Sequence, residues 1–461
     1  MHRSPPWSAS RSRACFCSAP GLLLSLFALG ACSKGDSGKP APSPRGEPSP
    51  VVSMAPVVRP PSPEVAKELN VLLISIDSLR ADMPWAGYPR PIAPRLTEFE
   101  GKSVSYTRAY AISSYTSMSV GGLLAGRYPH ELKRDGFFFG RYAAQNLMFP
   151  EVLKGAGVFT AAAHAHGYFG WAGFDQGFDR WEIVPNLKWN PQADDNVTSP
   201  QLEGLAEKLL TEAGGKGRFF AWFHFMDPHD DYLPHDADGI PPFGGKLRDK
   251  YDAEVLFTDR WVGKLLDFVA SMPWAKQTAI VITSDHGEAF GEHTQYRHGF
   301  EIWENLVRIP LMVQLPGGAA RRVDEPRSAI DLAPTILELL GVPPEPSFVG
   351  KSLVPELRGG PVEPRDVLVD LPATSNNDRR RALVSGKKKI YAYGKSELYH
   401  KLFDLEADPG EEHPIMKGED LDAMRAKYKE RSALLRDVMP TQCGDGCLEG
   451  TPKEDAGARP R

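Results

Sequence analysis

Two strand-like runs that each lead into a carboxylate constrain this chain of 461 residues more than any other feature. The first is Val71-Leu72-Leu73-Ile74-Ser75-Ile76-Asp77; the second is Ile282-Thr283-Ser284-Asp285-His286-Gly287-Glu288. A strand that is apolar on both faces is covered on both faces, as the central strands of a parallel sheet are. In open α/β sheets, the groups just beyond the carboxyl ends of such strands line the ligand crevice. Asp77, Asp285 and His286 are therefore expected in one cleft. Carboxylates and imidazoles together are the ligands a divalent transition metal prefers. Read alone, Asp77 has a plainer alternative as the N-cap of a helix starting at Leu79.

Between those ends the body alternates strand-like and helix-like stretches, the rhythm of an α/β domain. Strands are expected at Leu72–Ile76, Val158–Ala163, Arg218–Phe225, Thr278–Thr283 and Pro310–Leu315. Helices are expected at Pro150–Lys154, where proline sits in the first turn, at 250–270, and at Asp331–Leu340 ahead of Gly341. After about residue 360 the texture changes. Short antiparallel strands are expected at Arg381–Val384, Lys389–Tyr393 and Leu398–Leu405, then a charged helix at 418–437. The division expected is a catalytic domain over 67–360, a smaller subdomain over 361–440 and a polar tail over 441–461.

Candidate chemistry gathers at the strand ends. Met226-Asp227-Pro228-His229 follows an aromatic-rich strand, and Asp227 is expected to orient His229. Such imidazoles can neutralise substrate oxygens or protonate a leaving group. His229 and His298 are the better candidates, and His293 shares a loop with the latter. His224 lies inside an aromatic strand and reads as a core histidine; His164 and His166 mark another strand end. Thr116 stands ten residues ahead of the glycine in Leu124-Ala125-Gly126-Arg127-Tyr128-Pro129. Hydroxyls crowd around it at Ser113, Ser114, Ser117 and Ser119, a composition that ordinarily marks turns and caps. A hydroxyl beside a metal, however, can act as a nucleophile.

The formal net charge of −5 gives no reason to expect a nucleic acid partner. Arg3, Arg11 and Arg13 precede the apolar run Gly21–Ala28, which is too short for a membrane span and has the layout of a signal peptide. It ends in Leu29-Gly30-Ala31-Cys32, which resembles a bacterial lipobox and implies cleavage after residue 31 and lipidation of Cys32. An ordinary signal peptide cut nearby is the alternative. Residues 32–66, rich in Pro and Ser, are expected to be a disordered tether. The body is thus expected in the cell envelope, held to a membrane through lipid on Cys32. In that oxidising compartment, Cys443 and Cys447 would close a short disulfide loop.

Seven pieces in order carry a family resemblance over roughly residues 68–415. They are Ile76–Asp82, Leu124–Pro129, Gly173–Asp179, Met226–His229, Ser284–Glu288 with Gly291-Glu292-His293, Asp331–Thr335 and Leu402–Leu405. The body resembles the sulfatase branch of the alkaline phosphatase superfamily. That implies a central, mostly parallel sheet flanked by helices, with a smaller C-terminal antiparallel subdomain. One departure outweighs the matches. Sulfatases carry a cysteine, matured to formylglycine, in a Cys-x-Pro-x-Arg pattern, and the aligned stretch here is Thr116-Ser117-Met118-Ser119-Val120. A threonine at this place is similar to the nucleophile of phosphoethanolamine transferases and nucleotide phosphodiesterases. The resemblance therefore implies Thr116 as nucleophile, Asp77, Thr116, Asp285 and His286 as ligands of one metal, His229 and His298 as catalytic helpers, and Arg127 as the catalytic-set arginine that braces the nucleophile segment. Calcium sulfatases tend to pair aspartates where this chain has Asp77-Ser78, and have Asp-Asn where it has Asp285-His286. The imidazole favours zinc or manganese over calcium. The expected activity is hydrolysis or transfer on phosphate esters of a small-molecule, lipid or glycan substrate. Sulfate-ester hydrolysis without formylglycine, and an inactive binding scaffold, are the alternatives.

Overall fold

A computed structural model describes residues 69–438, apart from 137, 189–194, 230 and 375–376. Every described residue belongs to one compact unit. The expected signal, lipobox and tether, and the Cys443–Cys447 pairing, lie outside the described residues.

Strands β1 (Asn70–Ile76), β2 (Val104–Tyr106), β3 (Phe159–His164), β4 (Arg180–Ile183), β5 (Phe219–Phe225), β6 (Thr278–Ser284), β7 (Leu311–Gln314) and β8 (Arg321–Val323) form an eight-stranded sheet. Its order is β8-β2-β7-β6-β1-β5-β3-β4. β7 runs antiparallel to both neighbours and the remaining pairs are parallel. The sheet is thus mixed rather than purely parallel. β1 lies at its middle, between β5 and β6, and all three are buried along their whole length.

The helices are α1 (Pro94–Glu100), α2 (Thr116–Ala125), α3 (Phe149–Gly155), α4 (Ser199–Gly214), α5 (Leu247–Ser271), α6 (Leu332–Leu339) and α7 (Glu419–Ser432), besides two single turns. Because successive strand side chains point to opposite faces, β1 feeds two cores. Leu72, Ile74 and Ile76 pack with Leu96 of α1, Leu209 of α4 and Val262 of α5. Val71 and Leu73 pack with Leu124 of α2, Leu153 of α3 and Ile336 of α6. Each large apolar side chain so buried contributes about 1.5–3 kcal/mol. This two-sided burial is why the middle strands carry almost no polar residues until their last positions.

β9 (Val367–Leu371), β10 (Arg380–Ser385), β11 (Lys388–Tyr393) and β12 (Tyr399–Asp404) form a second, antiparallel sheet in sequence order. One face packs Leu368, Leu383 and Ile390 against Leu421, Met424 and Tyr428 of α7. The other packs Val369, Ala382 and Tyr391 into the cluster that holds Tyr115 and Met118, at the start of α2. The charged groups buried here are paired. Asp370 meets Arg381 at 2.8 Å and His130 at 2.7 Å, and Lys389 meets Glu411 at 3.0 Å and Glu304 at 3.1 Å.

Two readings of local sequence are corrected. No helix starts at Leu79, the next helical turn being Pro84–Ala86, so Asp77 is not a helix cap. The hydroxyl-rich stretch around Thr116 is not a turn: from Thr116 it is the ten-residue helix α2. That helix ends at Gly126, which adopts a left-handed φ of 57° and whose Cβ would stand 2.6 Å from the Phe348 ring.

Candidate active site

The sheet delivers three elements to one point. β1 ends at Ile76, β6 at Ser284 and β5 at Phe225, side by side and parallel, so the residues that follow them share one edge. Asp77 follows β1, and Asp285 and His286 follow β6. The backbone turns sharply at both places. Ser78 takes a left-handed φ of 56°, an uncommon conformation for a residue with a side chain, of the kind that clusters at functional sites. Its hydroxyl donates to Asp77 Oδ1 at 2.9 Å and its N–H to Asp285 Oδ1 at 3.4 Å. Gly287 is dictated by space, because a Cβ there would stand 2.1 Å from the Asn305 carbonyl oxygen.

Thr116, the first residue of α2, reaches this edge from below. Its Oγ1 donates to Asp77 Oδ2 at 3.0 Å and lies 3.2 Å from His286 Nε2. From Ala109 to Gly126 it is the one residue that is not fully buried. The start of a helix presents free N–H groups and the positive end of the helix dipole, a favourable place for an anion.

The donor set fits a divalent cation. His286 Nδ1 donates to the Gly287 carbonyl at 2.9 Å, which leaves its Nε2 as a bare acceptor. That Nε2 faces Asp77 Oδ1 at 3.5 Å and Asp285 Oδ2 at 3.4 Å. Burial and the charge on His298 push the His286 pKa down to about 3, so the ring is neutral. Asp285 Oδ2 is buried and accepts no hydrogen bond. Acceptors facing acceptors in a buried place repel unless a cation stands among them. Burial and the charge of Asp77 push the Asp285 carboxyl up to about 7. For Asp77, burial acts in the same direction, but the charge of His229 and the hydrogen bond from His224 outweigh it, and its carboxyl lies well below the ordinary range.

His224 is misplaced by a reading of sequence alone, because the structure brings it into the site. Its Nε2 lies 3.1 Å from Asp77 Oδ2 and its Nδ1 2.7 Å from Ser75 Oγ, which accepts from Trp222 Nε1 at 2.8 Å. Since Ser75 Oγ already accepts there, its own proton is free for His224 Nδ1, and the Nε2 proton for Asp77. Asp77, His224 and Asp285 also offer ligand atoms within 4.8 Å of one another, a buried group that could hold a metal ion.

His298 sits over His286, ring centroids 4.2 Å apart, and His229 lies 5.0 Å from His298. All three of His166, His229 and His298 are partly exposed. Burial alone would lower the pKa of His298, but the charge of Glu288 and its hydrogen bond at 3.2 Å push it up to about 9. Glu288 was not expected from sequence; its signal is its place in Asp285-His286-Gly287-Glu288, one residue past the turn.

Other expected roles are corrected. Arg127 is not at the site: it lies beyond the far end of α2, roughly 15 Å along the axis at 1.5 Å per residue, and binds the Ser347 carbonyl and Glu131. It braces the helix and does not touch the reacting centre. Asp227 gives its oxygens to Thr198 N, Thr198 Oγ1 and Ser199 N, so it fastens the start of α4. His293 turns away, stacking on Trp303 at 4.1 Å and donating to the Gly410 carbonyl. His164 is fully buried among Phe169, Trp181 and Trp222, and burial drives its pKa well below the usual range.

An α/β sandwich whose central strands present carboxylates and imidazoles to a hydroxyl at a helix start has the layout of hydrolases acting on esters. The chain belongs to the sulfatase family, whose model matches residues 69–342, a family of ester-bond hydrolases; a second model, described as N-sulphoglucosamine sulphohydrolase, C-terminal, matches 291–437. The choline-sulfatase of Rhizobium meliloti (strain 1021) is 35% identical over 423 residues, covering 74% of this chain and 81% of the relative. The ulvan-active sulfatase of Formosa agariphila is 23% identical over 422 residues, covering 80% and 82%. The crystal structure of the phosphonate monoester hydrolase of Agrobacterium radiobacter shares the fold with a TM-score of 0.65 at 19% identity, covering 79% of this chain and 95% of that one. Among the described residues, no helix is long and apolar enough to cross a membrane.

Proposed function

We propose that this sulfatase-family protein is a metal-dependent hydrolase that cleaves phosphate-type esters through Thr116. The observation that supports this best is the Thr116 hydroxyl, partly exposed at a helix start and within 3.2 Å of both Asp77 and His286. Asp77, Asp285 and His286, with Thr116, would hold one divalent ion, zinc or manganese rather than calcium because of the imidazole. Bound there, the ion would acidify the hydroxyl and draw charge from the transferring group.

The chain's own groups supply the remaining steps. Thr116 Oγ1 bonds to phosphorus as the bond to the alcohol oxygen breaks, and the hydroxyl proton passes to Asp77 Oδ2. His298, cationic at neutral pH, gives a proton to the departing alkoxide. Water then attacks phosphorus and returns a proton to His298, while Oγ1 leaves and recovers its own. Ser78 and His224 hold Asp77 in place throughout. The N-terminal sequence further supports an envelope location, with the body tethered through lipid on Cys32.

A second reading, sulfate-ester hydrolysis by the unmodified threonine, is favoured by the 35% identity to a choline-sulfatase. Phosphate is preferred because a threonine ester has no route to eliminate sulfate as a hydrated aldehyde does. Peptide mass spectrometry after exposure of the manganese-loaded protein to p-nitrophenyl phosphate and p-nitrophenyl sulfate separates the readings. A phosphate-sized adduct on the Thr116 peptide, absent from Thr116→Ala, is expected. Turnover of the sulfate alone would establish the second reading. Neither adduct, turnover nor bound metal would return an inactive binding scaffold.

A further inference from the structure

Aromatic residues stand close to Thr116 and His298 in the chain, the buried Tyr115 beside the first and the exposed Phe300 two positions past the second. Tyr115 precedes Thr116, and its ring lies 5.4 Å from that of Phe138. Phe138 lies 5.9 Å from Phe300, two residues past His298. The loop bearing His298 closes on the same place, since a Cβ on Gly299 would touch the Tyr115 side chain at 3.5 Å. On the other flank, Phe139 stacks on His166 at 6.2 Å and meets Tyr168 edge-on at 5.1 Å. Tyr168 ties this flank to the nucleophile helix, its hydroxyl bonding Ser117 Oγ at 2.8 Å and the Gly140 carbonyl at 2.6 Å. Residues 138–140 are thus strapped across the start of α2. Phe139 and Phe300 are each 44% exposed, the first beside the buried Tyr168 and the second beside the half-buried Phe138.

Exposed rings held rigidly by buried neighbours are poor solubility features and good binding surfaces. We propose that Phe138, Phe139 and Phe300, backed by the buried Tyr115, form the subsite for the alcohol part of the substrate, and that this alcohol is an uncharged, apolar group with a ring-sized face. The proposal rests on the reading of Thr116 as the reacting atom only for its orientation: the anion sits on α2 and the alcohol on the rings.

Binding tests it independently of turnover. Calorimetry on the full-length, manganese-loaded protein would compare benzylphosphonate, methylphosphonate and glucose 6-phosphate. Benzylphosphonate is expected to bind at least about tenfold more tightly than either, as burial of one ring allows. Phe300→Ala and Phe138→Leu are each expected to weaken benzylphosphonate about three- to tenfold and to leave methylphosphonate unchanged. Phe300 is exposed, so its truncation does not threaten folding. Equal affinities for the three compounds, or tightest binding of glucose 6-phosphate, would overturn the subsite. So would variants that weaken benzyl- and methylphosphonate alike. Phosphocholine binding more tightly than benzylphosphonate would show a cation cage and sink the claim that the alcohol is uncharged. Loss of turnover with the benzyl preference intact would break the threonine mechanism and spare the subsite.

Discussion

The two sheets of this protein both bury charge, and they do so in opposite ways. Against β9–β11, the buried carboxylates of Asp370 and Glu411 face a guanidinium and an ammonium, from Arg381 and Lys389. At the end of β1 and β6, the buried carboxylates Asp77 and Asp285 face each other, a threonine hydroxyl and imidazoles. The first arrangement is complete as it stands and holds two layers together. The second keeps like charges close, which folding alone would select against, and so marks where chemistry is done. Burial does not distinguish the two regions; the sign of the partner does.

The comparison can be broken in four places. Thr116→Ala should cost the most, a fall in kcat of roughly 10^4-fold or more, as removal of other catalytic nucleophiles does. Its melting temperature should stay near wild type; a residual activity within tenfold would remove Thr116 from the mechanism. Next comes Arg381→Ala, which leaves Asp370 buried without its guanidinium and should destabilise by about 3–5 kcal/mol in denaturant titrations. Activity per folded molecule should hold. The same pair sets an acid limit. The charges of His130 and Arg381 outweigh burial and hold Asp370 below the ordinary carboxylate range. Its stabilisation is therefore present above about pH 4 and fades as pH falls, and Arg381→Ala should flatten that slope.

Chelation is the third. Stripping metal should lower stability by about 3 kcal/mol at a free ion concentration a hundredfold above its Kd, and Asp285→Asn should abolish that difference. If Asp370→Asn abolished it instead, the two regions would have been assigned the wrong way round. The smallest effect belongs to Asp259, which accepts the N–H groups of Arg95 and Leu96 at the start of α1. Burial pushes its carboxyl up to about 6. A carboxyl raised on folding contributes fully below about pH 4, and the contribution is lost as pH rises through 6. Asp259→Asn should remove about 1–3 kcal/mol of that decline between pH 4 and 7, read by thermal melts.

Much of the fold was legible because the middle strands are apolar on both faces and end abruptly in charge. β1, β3, β5, β6 and β7 and three strands of the second sheet, β10 to β12, could be read within a residue or two; β9 could not. The short strands β2 and β8 could not, since three residues carry no period. α2 hid because Ser113-Ser114-Tyr115-Thr116-Ser117 has turn composition, while the helix is held by packing Leu124 into one core of the large sheet and Met118 against the second sheet. At the site, Asp77, Asp285, His286 and Thr116 were visible as strand ends and as an aligned segment. His224 was not, because Phe219–Phe225 reads as core. Its meaning appears only in register: His224 pairs with Ser75 across β1 and β5, two polar residues on one side of an apolar sheet. Asp227 misled for the opposite reason, its carboxylate being spent on a helix start that the sequence does not mark.

Thr116 has a further consequence as the first residue of a helix whose start is packed against the second sheet. A nucleophile that must be manufactured from cysteine makes an enzyme dependent on a partner and on the moment at which that partner acts. If Thr116 is the nucleophile, as proposed, the reacting group is encoded, and the helix that aims it forms with the cores. On this reading the protein matures by folding alone, so chain refolded from denaturant with the ion present should recover full activity in any host background.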